Sequence, residues 1–402
     1  MTISPLVAEP RHSSYDVVIV GGAAVGSSTA WWLSANPDFS GRVLVVERDA
    51  NYTQASTALS ASCIRHQYSN PINVKVSMFG SDFVQNFREQ LGGDPEIPDI
   101  ELKEFGYLYL AKESGTQVLR ESHAVQAECG AATQLLTPEE LAQRFPFYNL
   151  DDIVLGSYNN VGEGWFDGYT MMQWFRQKAR EQGVEYVTNE VVDMTTEGDR
   201  VTHVTLASGE QIACGTVVNA SGPRAARTAA MAGLEIPIEP RKRTLFVFDC
   251  REPLGQTMPL TIDPTGVHCR SEGQFYLCGT VPTPDAGVDY DDFETAHDEF
   301  DEVWPILANR VPAFEAIKLV RAWAGHYAYN LLDQNAVIGR HPDVENFVFA
   351  NGFSGHGLQQ SPAMGRGVSE LIAHGSFRTL DLSELSYERI VTNTPFLEKA
   401  II

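Results

Sequence analysis

From Asp16 the run VVIV is β-branched and apolar and stops at glycine, the pattern of a strand buried on both faces. Beyond the glycines, TAWWLSAN has the spacing of a short helix, and RVLVVERD gives a second buried strand, so residues 16–49 predict a βαβ unit. The apolar stretch 15–33 is long enough to cross a bilayer, but Gly21, Gly22, Gly26 and two serines break it into strand, turn and helix. Segment 72–92 has helical spacing, and 101–112 (ELKEFGYLYLAK) reads as a strand. TPEELAQRF predicts a helix with Thr137 as N-cap and Glu140 at the third helical position. Short strands follow in VEYVTNEVVDMTTEGDRVTHVTLASGEQIACGTVVNAS, separated at Glu197-Gly198-Asp199 and Ser208-Gly209. Residues 243–250 and 274–280 are again strand-like, whereas 282–301 reads as an acidic, proline-containing loop running into a helix. The chain closes on a strand (NFVFAN), a glycine turn (GFSGHG) and a helix (SPAMGRGVSELIAHG), and its opening residues 1–14 read as a frayed tail without the pattern of a secretion signal.

At 402 residues the chain exceeds what one core supports, which predicts about two domains. A hydrophobic fraction of 43% against 20% charged residues predicts a globular chain. The net charge of −23 repels phosphate backbones and anionic lipid, so neither nucleic acid nor a membrane surface is an expected partner. The six cysteines are scattered and form no C-x-x-C pair, which excludes the usual zinc patterns; no metal is expected, and a reducing, cytoplasmic setting is.

The turn Gly21-Gly22-Ala23-Ala24-Val25-Gly26 follows a buried strand and opens a helix, the setting in which backbone N–H groups meet a pyrophosphate. Glu47 ends the next strand, where a carboxylate can accept hydrogen bonds from both hydroxyls of an adenosine ribose and would repel the 2′-phosphate of NADP. Arg48 beside it is assigned to the same group. Ala23 stands at the central glycine position of G-x-G-x-x-G and predicts a slightly more distant backbone approach.

The blocks DVVIVGGAAVGSSTAWWL, VLVVERD, ASTALSASCIRHQYS, GWFDGY, VVNASGP, WAGHYAYNLLDQNAVIG and GFSGHGLQQSPAMGRGVSELI occur in this order between Asp16 and Ile372. In kind and order they resemble the D-amino-acid oxidase and sarcosine oxidase superfamily of FAD-dependent oxidoreductases. Within it they are most similar to the branch of sarcosine and dimethylglycine oxidoreductases and a mitochondrial FAD-dependent oxidoreductase-domain protein. The resemblance implies FAD rather than NAD, because the ASTALSAS and GFSGHG blocks have no role in a nicotinamide enzyme.

It also implies site residues. Ser56, Thr57, Ser60, Ala61, Ser62 and Cys63 would line the diphosphate, ribityl chain and ring of FAD. Val192 and the Ala220-Ser221-Gly222 turn match positions flanking the adenine and ribose half. Gly355, His356, Gly357, Leu358 and Gln359 would bring a helix N-terminus to the flavin's pyrimidine end. Arg65 matches an arginine that fixes a substrate carboxylate, and a planar guanidinium suits that task. Relatives often carry lysine where this chain has Gln359. Tyr327 matches an active-site tyrosine; His326 is the expected acceptor of a substrate ammonium proton, with His66 and His268 as further candidates. Some members attach flavin through a cysteine near WAGHY, but Gly325 stands there and no cysteine lies beyond Cys278, so FAD is expected to be non-covalent. A histidyl linkage through His66, His326 or His356 stays open.

The expected fold is α/β: a Rossmann-like FAD domain from 1–85, 160–235 and 321–402, and an α+β substrate domain with a mixed or antiparallel sheet from 86–159 and 236–320. The implied reaction is oxidation of a small amino acid or N-alkylated amine by hydride transfer to flavin N5. An imine results, which water hydrolyses, and the electrons pass to O2 or another carrier. The same resemblance supports oxidation of a 2-hydroxy acid, and its nearest branch suggests a low-turnover flavin-binding assembly or scaffold protein.

Overall fold

The computed structural model describes residues 9–399, so the first eight residues of the expected tail lie outside the described residues. The βαβ unit forms as strand Ser14–Val20, helix Ala24–Ala35 and strand Val43–Glu47. Alternation of side chains sends Val17, Ile19, Val43 and Val45 into one core and Val18, Val20, Leu44 and Val46 into another, which is why these runs are apolar at every position. Parallel pairing continues the sheet in the order Glu185–Thr188, Val43–Glu47, Ser14–Val20, Gln211–Asn219, Phe347–Asn351. The strand order reverses at Ser14–Val20, the arrangement that leaves a crevice at the carboxyl ends of the strands. On one face Trp31 of the first helix packs 5.4 Å from Phe175 and 5.8 Å from Phe83.

A second sheet of eight strands runs in the order Ile317–Asn330, Ile238–Cys250, Phe275–Gly279, His268–Glu272, Leu260–Ile262, Tyr107–Ala111, Leu155–Asn159, Gln134–Leu136. It is antiparallel except where Leu260–Ile262 lies beside Tyr107–Ala111. Helices Pro138–Arg144 and Glu299–Arg310 back one face, over a core that includes Phe246, Phe248, Leu307 and Phe314. The opposite face carries Tyr107, Leu260 and Ile262, and beside them Leu245, Val247 and Leu277, packed on Cys63 and Ala61. That face roofs the crevice of the first sheet.

Thr137 caps its helix as expected: its hydroxyl accepts from Glu140 N at 3.3 Å, and Glu140 Oε2 accepts from Thr137 N at 2.8 Å. The strand expected over 101–112 is confined to Tyr107–Ala111, because Gly106 turns the backbone to a φ of +85° and a Cβ there would lie 2.6 Å from Asn159 O. The strand expected from 243 begins at Ile238 despite Pro240. On its other edge that half has only the bridge of Arg241 to Gly287, where Pro240 O accepts from Val288 N at 3.0 Å, and pairing with Phe275–Gly279 starts only at Leu245, so a missing N–H is tolerated. Ile317–Asn330 pairs along its whole length with Ile238–Cys250, so the expected domain boundary at 320/321 falls inside a continuous strand. The last helix starts at Gly357, ahead of Pro362; the Ser361 hydroxyl donates to Leu358 O at 2.9 Å, the carbonyl that the proline cannot serve.

Candidate active site

Strand Ser14–Val20 ends at Gly21, whose φ is +99° and whose added Cβ would lie 2.5 Å from Ala220 O. An added Cβ on Gly26 would lie 1.9 Å from Gly21 O. The two glycines therefore form a turn that no side chain fits. Helix Ala24–Ala35, which this turn opens, has neither a side-chain cap nor an acidic residue in its first turn. Ala24 N–H donates to Thr57 Oγ1 at 3.3 Å, and the amides that follow it, with the helix's positive end, are left to an anion. Ala23 adopts an ordinary extended conformation at the N-cap (φ −73°) and borders the cleft with Gly21 and Ala24. Gly22 is set back: its N–H donates to Glu47 Oε2 at 2.8 Å, while Glu47 Oε1 accepts from Asp49 N at 2.8 Å. Burial pushes the Glu47 carboxyl above its usual range. Each oxygen keeps a lone pair for a ribose hydroxyl.

The cleft encloses about 2200 Å³ of empty space, its open mouth included. It runs from Glu47 and Arg48 past the glycine turn and the loop Ser56–Cys63 to a chamber under the second sheet. Ser56, Thr57, Ser60, Ala61 and Cys63 face it, but Ser62 does not. Ser62 has a φ of +55°, donates to Phe166 O at 2.6 Å and accepts from Gly168 N at 3.1 Å, so it ties the loop to its neighbours instead. Ala220 and Gly222 border the cleft. Val192 is 46% exposed and points away; the residue beside it, Val191, faces the cleft, because neighbours on a strand take opposite sides. At the far end Gly355 (φ +97°) leaves no room for a Cβ, which would lie 2.5 Å from the Tyr327 ring. His356, Gly357, Leu358 and Gln359 follow, opening helix Gly357–His374, which again has no side-chain cap and no acidic first turn.

Arg65 reaches the chamber with 1% of its surface exposed. Its guanidinium donates to Gln67 O, lies 2.9 Å from His356 Nε2 and stacks 4.1 Å from the Tyr68 ring centre. Its own N–H donates to Gln359 Oε1 at 3.0 Å, so Gln359 holds the arginine's backbone. Burial, with Arg65 beside it, holds His356 well below the usual imidazole range and therefore neutral. Tyr327 lies against Gly355 and under Arg243, 5.0 Å from its ring centre.

His326 lines the cleft as well, but its side chain leaves the strand on the opposite side from Tyr327, because the two are consecutive. Its ring stacks on Phe293 at 4.2 Å, and Nε2 sits 2.6 Å from Asp292 O. The expected role of proton acceptor at the substrate is therefore not available to that nitrogen. His66 is turned to Ser81 Oγ at 2.8 Å, away from the cleft. His268 does face the chamber: Nδ1 has no partner among the described residues, and burial, with Arg243 and Arg270 near, pushes it down to about 4.

Sequence reasoning missed Tyr107, Arg243 and the loop around Tyr290 and Phe293, all of which line the cleft. A signal was present. The basic run Arg241-Lys242-Arg243 meets Asp285 and Asp292 of the acidic loop, with Arg243 Nη1 2.8 Å from Asp285 and Lys242 Nζ 2.8 Å from Asp292.

A glycine cradle, a ribose-type carboxylate and two uncapped helix ends turned to one long cleft define a dinucleotide-binding oxidoreductase, and these residues fit FAD. Residues 16–371 match the family described as DAO: FAD dependent oxidoreductase, and the chain belongs to that family. It is 42% identical to FAD-dependent oxidoreductase domain-containing protein 1 of Xenopus laevis, covering 96% of this chain and 85% of that one. It is 26% identical to sarcosine oxidase subunit beta of an Arthrobacter species, over 96% of this chain and 93% of that one. Among solved structures it is similar to L-proline dehydrogenase from P. horikoshii, with a TM-score of 0.81, 26% identity and coverage of 97% and 99%. The chain is an FAD-dependent oxidoreductase of the DAO family.

Proposed function

We propose that this chain oxidises a small amino acid or N-alkylated amino acid at its C–N bond. The observation that carries the reading is Arg65, a buried guanidinium in the same chamber as Tyr327 and the N-terminus of helix Gly357–His374. The names of relatives support it, since sarcosine oxidase, L-proline dehydrogenase and a glycine oxidase are amino-acid enzymes. When bound, FAD supplies the acceptor for a hydride leaving the carbon beside nitrogen. Arg65 holds the carboxylate, with Gln359 fixing its backbone and Tyr68 its guanidinium plane. Neutral His356 adds no competing charge. Leu245 and Leu260 give the chamber an apolar roof. His268, neutral above pH about 4, offers a nitrogen to a substrate N–H and replaces His326 in that place. The two-electron oxidation leaves an imine, and water then releases the amine.

FAD is held without a covalent bond in this account. Gly325 stands in the WAGHY block, His356 is committed to Arg65 and His326 to Asp292 O. No helix among the described residues is long and apolar enough to cross a membrane. The scattered cysteines agree with a cytoplasmic setting, and the electrons leave to O2 or another carrier.

The reading is tested by product. Incubation of the FAD-loaded protein with small amino acids and their N-methyl forms, with O2 or a dye as acceptor, should release ammonia or methylamine with a 2-oxo acid, or formaldehyde with the parent amino acid, in step with acceptor reduced. Turnover of a 2-hydroxy acid with no amine released from any amino compound would move the chain to the other substrate class.

A further inference from the structure

Glu163 has no exposed surface, and no step so far uses it. It lies between strands Leu155–Asn159 and Gly164–Trp165, on a backbone tied to the segment before Tyr107. Gly162 N donates to Glu104 Oε1 at 2.6 Å, Gly106 N donates to Glu163 O at 3.1 Å, and Lys103 and Trp165 exchange bonds of 2.7 and 3.1 Å. Its carboxylate crosses to the residues that follow Arg65. Oε1 accepts from His66 N at 2.8 Å and from Asn159 Nδ2 at 2.7 Å; Oε2 accepts from Gln67 Nε2 at 2.9 Å. Gln67 is fixed on its other sides by Tyr107 O at 3.1 Å and Ser157 Oγ at 2.8 Å, and its own carbonyl receives the Arg65 guanidinium.

A buried carboxylate costs several kcal/mol unless donors and a cation answer it. Three N–H donors converge here, and the Arg65 charge also favours the ionised form. Burial nonetheless pushes the carboxyl up to about 7, so near neutral pH it is divided between its charged and protonated forms. We propose that Glu163 is the positioning residue that aims Arg65 at the substrate carboxylate, through Gln67 and the main chain of His66. The inference rests on the reading of Arg65 as the carboxylate site.

The test titrates FAD-loaded protein with acetate and benzoate, followed by the change in the flavin spectrum, with benzamide as an uncharged shape control. Glu163→Gln presents an amide N–H to donors that need an acceptor, and should weaken both carboxylates by about tenfold or more. FAD content and benzamide affinity should stay as in the wild type. Gln67→Met, which removes the linking amide without touching the acid, should weaken the carboxylates in the same direction. It carries the test if Glu163→Gln does not fold. Unchanged carboxylate affinity in these variants, alongside a loss in Arg65→Ala, overturns the positioning role and leaves the Arg65 reading intact. Equal losses of carboxylate and benzamide mean general distortion and overturn it too. No carboxylate binding in the wild type, or binding insensitive to Arg65→Ala, removes the Arg65 reading and this inference with it.

Discussion

Gly26→Ala should purify without its yellow colour. The added methyl carbon would lie 1.9 Å from Gly21 O, a backbone atom in the turn itself, so the turn and the first amides of helix Ala24–Ala35 must move apart. With Ala24 N–H bonded to Thr57 Oγ1, the amides after it are the donors proposed for the pyrophosphate, and hydrogen bonds to a charged group contribute about 1.5–3 kcal/mol each. Losing two of them, even partly, raises the Kd for FAD by roughly a hundredfold, about 3 kcal/mol. Far-UV circular dichroism close to the wild type would show that the loss is local. On the proposal that FAD is held by such contacts alone, acid precipitation of the wild type should send the yellow colour into the supernatant. A chain heavier by one FAD would contradict that, and full FAD retention in Gly26→Ala would contradict the assignment of the turn.

Arg65→Ala should lose its carboxylate substrate while keeping its flavin. The guanidinium is 1% exposed, so the ion pair with a substrate forms out of water, and removing one partner of such a pair costs about 2–4 kcal/mol. In kcat/KM that is roughly thirtyfold to a thousandfold. Part of the loss reflects Gln67 O and His356 Nε2, which the truncation leaves without their donor. Arg65→Lys should recover only a fraction, because an ammonium cannot present two parallel N–H groups. FAD content near that of the wild type, with unaltered kinetics on a carboxylate substrate, would remove Arg65 from the site.

Much of the FAD half was legible because its physics is local. The buried strands Ser14–Val20 and Val43–Glu47 show themselves as unbroken β-branched runs, and the glycines and Glu47 stand at spacings that the turn dictates. Thr137 and Glu140 cap a helix three residues apart, within reach of any sequence window. The substrate half was less legible because its geometry depends on parity and on distant pairing. Whether Val191 or Val192 faces the cleft, and whether His326 or Tyr327 lies on the side of Gly355, turns on a one-residue register along a strand. Glu163 meets Gln67 across 96 residues of chain, and Arg243 meets Asp285 across 42, contacts for which no spacing rule exists. The strand Ile317–Asn330 joins the second sheet through pairing with a segment some eighty residues earlier, which composition alone does not reveal.

The account stands most directly on which molecules deliver electrons to the bound flavin. FAD-loaded protein is mixed without oxygen with matched sets of small amino acids, their N-methyl forms and their 2-hydroxy analogues, and the flavin absorbance is followed. Bleaching by an amino acid or N-methyl amino acid, saturating with concentration and absent with the hydroxy analogue of the same skeleton, is the predicted result. Bleaching by hydroxy acids alone, or a flavin that no member of the set reduces, would contradict it.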